Sequence, residues 1–248
     1  MHTASRTNQI GFTLVEIMVA MVIGMLGILI IMQMAFTFEG QKRTTTGGGD
    51  AQNAAAIAMF GLQQNLLQAG YCFSSSAPTR AGIGSLKPVM IDVATLDSNL
   101  IRAANTNTLL VSYGNDACPP ESASGVASAT TMNVIAFAVR GNQLWQCDYL
   151  ASDCATVGTN WTVIADDIVG LRAECDNGNG VRLALVARSP QLEKTAVTTL
   201  APTWSGTAAI DLSATVTDSG YTWQNYRYKV VESLIPNRNT LWTGGQGC

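Results

Sequence analysis

The stretch Gly11-Phe12-Thr13-Leu14-Val15-Glu16, continued by the unbroken apolar run Ile17 to Met32, decides how this chain is built. No charge occurs between Glu16 and Glu39, a gap of 22 positions. A helix over that gap is about 33 Å long at 1.5 Å per residue, against roughly 30 Å of hydrocarbon in a bilayer. Surface helices of soluble domains keep a polar side, and this one has none. Residues 17–38 therefore read as a membrane-spanning helix or a processed targeting segment. A secretory signal fits poorly, because its apolar core is only about 7–15 residues long and a small-x-small cleavage site follows it. A lipoprotein signal needs a cysteine directly after the run, and the first cysteine is Cys72. A plain single-pass anchor fits the length.

Glu16 argues for more than an anchor. An ionisable side chain within a span costs about 2.5–3.5 kcal/mol on insertion scales, so its presence points to a function. On a helical wheel Glu16, Ala20, Gly24, Gly27 and Ile31 fall within roughly 80° of one another. Apart from Ile31 the residues above Glu16 are small, which lets helix backbones approach closely. Met18, Met21, Met25 and Met32 form a stripe on the other side, suited to adaptable packing rather than to a cofactor.

A short polar leader with Arg6 followed by Gly-Phe-Thr-Leu-x-Glu and about 20 apolar residues resembles the class III leader of type IV prepilins. The resemblance implies that a prepilin peptidase cuts after Gly11 on the cytoplasmic face and methylates the new N-terminal residue, Phe12. Glu16 then becomes the fifth mature position. Cleavage creates an α-ammonium at Phe12, with the Glu16 carboxylate about one helical turn away. Each charge is expensive alone in a bilayer or a dry fibre core. A staggered neighbour that offers the opposite charge makes the pair a register device for assembly. Glu16 is also placed to cap its own helix dipole, which is compatible with that role.

Beyond the span, Asp50 to Gly70 reads as a second helical stretch with Ala56, Ile57, Phe60, Leu66 and Leu67 on its apolar side and Gly70 as its stop. Gly47-Gly48-Gly49 lies between the halves. At about 1 kcal/mol per glycine it predicts a kink or break. Strands are expected at 108–113, 133–139, 142–149, 161–165, 169–174, 181–187, 209–216 and 226–234. Arg140-Gly141-Asn142 and Asn177-Gly178 read as hairpin turns. The fold class is α+β, and the resemblance implies a pilin-like long N-terminal spine helix with a globular antiparallel β-sheet head. Its parts are a leader (1–11), a spine (12–70, with 12–38 in the membrane or fibre core and 39–70 amphipathic) and a periplasmic β-rich head (71–248).

Leu66-Leu67-Gln68-Ala69-Gly70-Tyr71 resembles the helix end of PilW-type minor pilins. Val181 to Ser189 is similar to their Arg-x-x-Leu-x-Val-Arg-Ser stretch, and Tyr226-Arg227-Tyr228-Lys229 with Ile235-Pro236-Asn237-Arg238-Asn239 to their C-terminal ending. The related J-type pseudopilins of type II secretion share the general plan. Six cysteines in an exported domain argue for disulfides, and their number does not fix the pairing. Cys147 and Cys154, close in sequence, suit a short loop; Cys72 with Cys118 and Cys175 with Cys248 are the further candidates.

Composition narrows the function. Hydrophobic residues make up 47% of the chain and charged residues 12%, which excludes charge-driven disorder. Fourteen Lys and Arg stand against seventeen Asp and Glu, with no basic block, so no direct nucleic-acid partner is expected. The single histidine is His2, in the leader, which removes imidazole-based nucleophile pairs and His-ligated zinc from the mature chain. No phosphate loop, nucleophile elbow or dinucleotide fingerprint occurs. Asp166-Asp167 reads as a solvated turn and Asp176 to Gly180 as turn chemistry rather than a calcium loop. No enzyme activity, cofactor or metal is expected. The resemblance implies a minor pilin of a type IV pilus, held in the bacterial inner membrane with its head in the periplasm. It would meet the prepilin peptidase, other minor pilins, the major pilin and the inner-membrane assembly platform, help to prime assembly and enter the fibre near its tip; the alternatives are a J-type pseudopilin of type II secretion and, more distantly, a tip adhesin or DNA-uptake pilin.

Overall fold

A computed structural model of the chain describes residues 11–72, 79–80, 84–92, 106–114, 132–148, 154, 160–176, 180–213, 215–216, 220–239 and 248. One helix, α1, runs Leu14–Gln68, 55 residues. Among the described residues the strands are β1 (Thr79–Arg80), β2 (Gly84–Ser85), β3 (Val89–Ile91), β4 (Leu109–Gly114), β5 (Met132–Arg140), β6 (Gln143–Asp148), β7 (Trp161–Asp166), β8 (Ile168–Asp176), β9 (Gly180–Arg188) and β10 (Tyr228–Pro236). The chain divides into two compact units, with the boundary between Thr46 and Gly47. In the first unit the apolar side chains of α1 face outward: none of its most apolar window is buried by the chain itself. The α+β class read from the sequence is the architecture found.

In the second unit two antiparallel sheets share a core with the later half of α1. One has five strands in the order β3-β4-β5-β6-β7, the other three in the order β10-β9-β8, and β1 pairs with β2 in a small ladder. The period-2 alternation of the strands explains which residues meet the helix. Val89, Leu109, Val111, Ile135, Phe137 and Val139 of the larger sheet, and Leu171, Leu183, Leu185 and Ala187 of the smaller, surround Ala51, Ala55, Ala58, Met59, Leu62 and Leu66 of α1. The reverse side of the larger sheet buries Leu110, Met132, Val134, Ala136 and Trp161 with Cys147 and Cys154. The reverse side of the smaller sheet carries Val169 and Val186, covered by Ile210 and Leu212 with Trp204 and Trp223 beside them.

The structure changes several expectations. Gly47-Gly48-Gly49 does not interrupt the helix. Three glycines cost roughly 3 kcal/mol there, and the helix nevertheless runs through them into the half that buries Met59, Leu62 and Leu66. Gly47 also lies against Ser189, whose Cβ would stand 3.3 Å from an added Cβ there. The inward face of that half is not the one expected: Met59, Leu62 and Leu66 lie in it among small residues. Ala56 is exposed, Ile57 and Phe60 are 66% and 61% exposed, and the small Ala51, Ala55 and Ala58 are buried in their place because they let the helix lie close to the sheets. Leu66 is in the core and Leu67 at its edge.

Residues 209–216 form no strand where they are described. Ser213 N–H donates to Asp211 Oδ1 (2.9 Å) and the Thr215 hydroxyl to the Leu212 carbonyl (2.7 Å). Such local side-chain bonds compete with a ladder. The segment acts as a cover instead, pinned by Thr207 N–H to Glu174 (2.9 Å), the Ser205 hydroxyl to Glu232 (2.6 Å) and Arg172 to the Ala209 carbonyl. The β5–β6 turn has positive φ at both Gly141 and Asn142 (56° and 62°), as a two-residue hairpin of matching twist requires. Asn177-Gly178, Cys118, Trp242 and residues 119–131 lie outside the described residues.

Candidate processing and assembly segment

The helix begins at Leu14, not at Phe12, because Thr13 caps it. Glu16 N–H donates to the Thr13 carbonyl at 3.1 Å and to the Thr13 hydroxyl at 3.3 Å, and Ile17 N–H reaches the same carbonyl at 3.3 Å. A Thr three residues before a Glu is the sequence half of a capping box, and this signal would have located Thr13 from the sequence. Gly11, Phe12 and Thr13 therefore lie before the first helical turn, with Phe12 78% exposed. The one-turn separation expected between Phe12 and Glu16 assumed a helix starting at Phe12. With Thr13 as the cap, Phe12 stands just outside the helix, in an exposed segment.

Glu16 sits in the first turn of α1, exposed, where the N-terminal dipole favours a carboxylate. Ala20 is exposed on the same helix. Added Cβ atoms at Gly24 or Gly27 would meet nothing within 4 Å. These residues have no packing partner within the described residues, and their side of the helix is open to another chain. The arrangement is an exposed Gly11–Phe12 segment before the helix and an exposed carboxylate in its first turn.

In the head, the stretches singled out by sequence come together. Asn239 donates through Nδ2 to the carbonyls of Ala69 (2.9 Å) and Leu67 (3.4 Å), satisfying acceptors at the end of α1, where Gly70 adopts φ 75°. Ser189 N–H donates to the Arg227 carbonyl (2.7 Å), and Arg188 stacks over Tyr226 at 4.4 Å. Sequence reading did not find the role of Asn239, since 170 residues separate it from Ala69. Arg188 also faces Asp167 at 3.8 Å. Burial raises the Asp167 carboxyl above its ordinary range, Arg188 opposes this, and Asp166 and Asp50 add to it.

Two disulfides are seen: Cys147–Cys154 and Cys175–Cys248, each with Cα atoms 5.9 Å apart. Cys72 is also disulfide-bonded, and no cysteine is free among the described residues. Among those residues no group of three or more His, Cys, Asp or Glu side chains is placed to hold a metal.

Among solved structures the chain is similar to a type IV-like pilin from Thermus thermophilus, at 13% identity and a TM-score of 0.45, covering 76% of this chain and 97% of that one. No curated protein is significantly similar in sequence. The prokaryotic N-terminal methylation motif matches residues 6–32, the segment that holds Gly11, Phe12 and Glu16, so that in its N-terminal part the chain is type IV prepilin-like.

Proposed function

We propose that this chain is a minor pilin of a type IV pilus. It inserts in the inner membrane with its head in the periplasm, is cut after Gly11 and N-methylated at Phe12, and helps to prime fibre growth before taking a place near the tip. The observation that carries this reading is the methylation motif over residues 6–32 running into a helix whose most apolar window the chain leaves uncovered. A bilayer covers such a helix first, and the helices of sibling subunits cover it afterwards. Its partners are the prepilin peptidase, the assembly platform, the major pilin and other minor pilins. Glu16 holds register by meeting the ammonium of a neighbour.

The resemblance of residues 66–71, 181–189, 226–229 and 235–239 to PilW-type proteins favours the pilus over type II secretion, where a J-type pseudopilin would use the same spine. The test is the mass of the N-terminal peptide of the chain isolated from membranes and from sheared fibres. The expected species begins with methylated Phe12 in both. A first residue other than Phe12 in assembled material overturns the reading, and recovery only with secretion components moves the chain to the pseudopilin role.

A further inference from the structure

We propose that residues 44–49 of α1 are a built-in hinge, a helical segment that unwinds locally while the helix on either side stays intact. Glycine is required where φ is positive or where a neighbour leaves no room for a Cβ. Gly48 and Gly49 meet neither condition: they are helical, and an added Cβ at either would meet nothing within 4 Å. No contact within the described residues calls for glycine at either position, and what the pair supplies to the helix is backbone freedom. The preceding Thr44, Thr45 and Thr46 are β-branched and poor helix formers. Thr44 and Thr45 turn their hydroxyls back onto the carbonyls of Gly40 (3.0 Å) and Gln41 (3.1 Å), a bond that weakens and bends helices. The boundary between the compact units falls inside this segment, at Thr46 and Gly47.

Unwinding here exposes no core side chain. Gly47, the one buried residue of the segment, has no side chain, and the first core residue of α1 is Ala51. Downstream, Ala51 to Leu66 are held by both sheets. Upstream, residues 17–38 are long enough to be held by a bilayer or a fibre. A short weak stretch between two anchored ones opens at far lower free energy than either flank. Only the purpose of the hinge rests on the proposed function.

The test is hydrogen–deuterium exchange on the full unassembled chain in lipid nanodiscs, a measurement independent of the N-terminal mass. Amides of residues 44–50 are expected to be protected at least ~10-fold less than those of 55–66. The double substitution Gly48→Ala with Gly49→Ala, which fills open space, is expected to raise their protection about tenfold and leave β8 and β9 unchanged. Protection across 44–50 within about threefold of that across 55–66, or no change in the double variant, overturns the hinge.

Discussion

Glu16 illustrates how one residue carries two balances at once. Inserted in a bilayer, its carboxylate costs about 2.5–3.5 kcal/mol, lowered by its place at the N-terminal turn where water and the helix dipole are near. In a packed fibre that cost returns unless an ammonium meets it. Glu16→Ala should therefore leave membrane insertion intact and reduce cross-linking to neighbouring pilins about tenfold, equivalent to roughly 1.4 kcal/mol of lost pairing. Equal cross-linking in the variant and the parent would remove the register role. Thr13 works beside it, fixing the start of the helix and leaving Gly11 and Phe12 outside.

At the scale of elements, α1 is two helices in physical terms. Among the described residues its first part is held by no other element within its own unit, while its second presents Ala51, Ala55 and Ala58 together with Met59, Leu62 and Leu66 to two sheets. The far end is finished by a residue from the other end of the chain. Asn239→Ala removes the donor to the Ala69 and Leu67 carbonyls and should lower stability by about 1–2 kcal/mol, read as a shift in the urea midpoint with the slope unchanged. A shift no larger than that of a neutral surface substitution would show that water replaces the bond. The wrongly expected inner face of this half, with Ile57 and Phe60, has the same origin: hydrophobicity ranks side chains, but closeness to a sheet selects small ones.

For the whole molecule, the disulfides close loops of very different length. Cys147–Cys154 spans 7 residues and Cys175–Cys248 spans 73. Loop-closure entropy then predicts losses of about 2 kcal/mol for the double Ser variant of the first pair and about 4 kcal/mol for the second. Denaturant unfolding of the two variants checks the order, and equal losses would argue that local packing near Trp161 outweighs chain entropy.

The apolar span, the Gly11–Glu16 constellation, the α+β class, the β5–β6 turn and most strands were legible in the sequence, because each depends on periodicity or on residues adjacent along the chain. Only the tertiary structure decided that Gly47 to Gly49 stay helical, that residues 209–216 cover a sheet instead of joining it, and that Asn239 closes the end of α1. Those outcomes depend on contacts between residues far apart in the chain, where packing energy outweighs local preference and leaves no periodic trace.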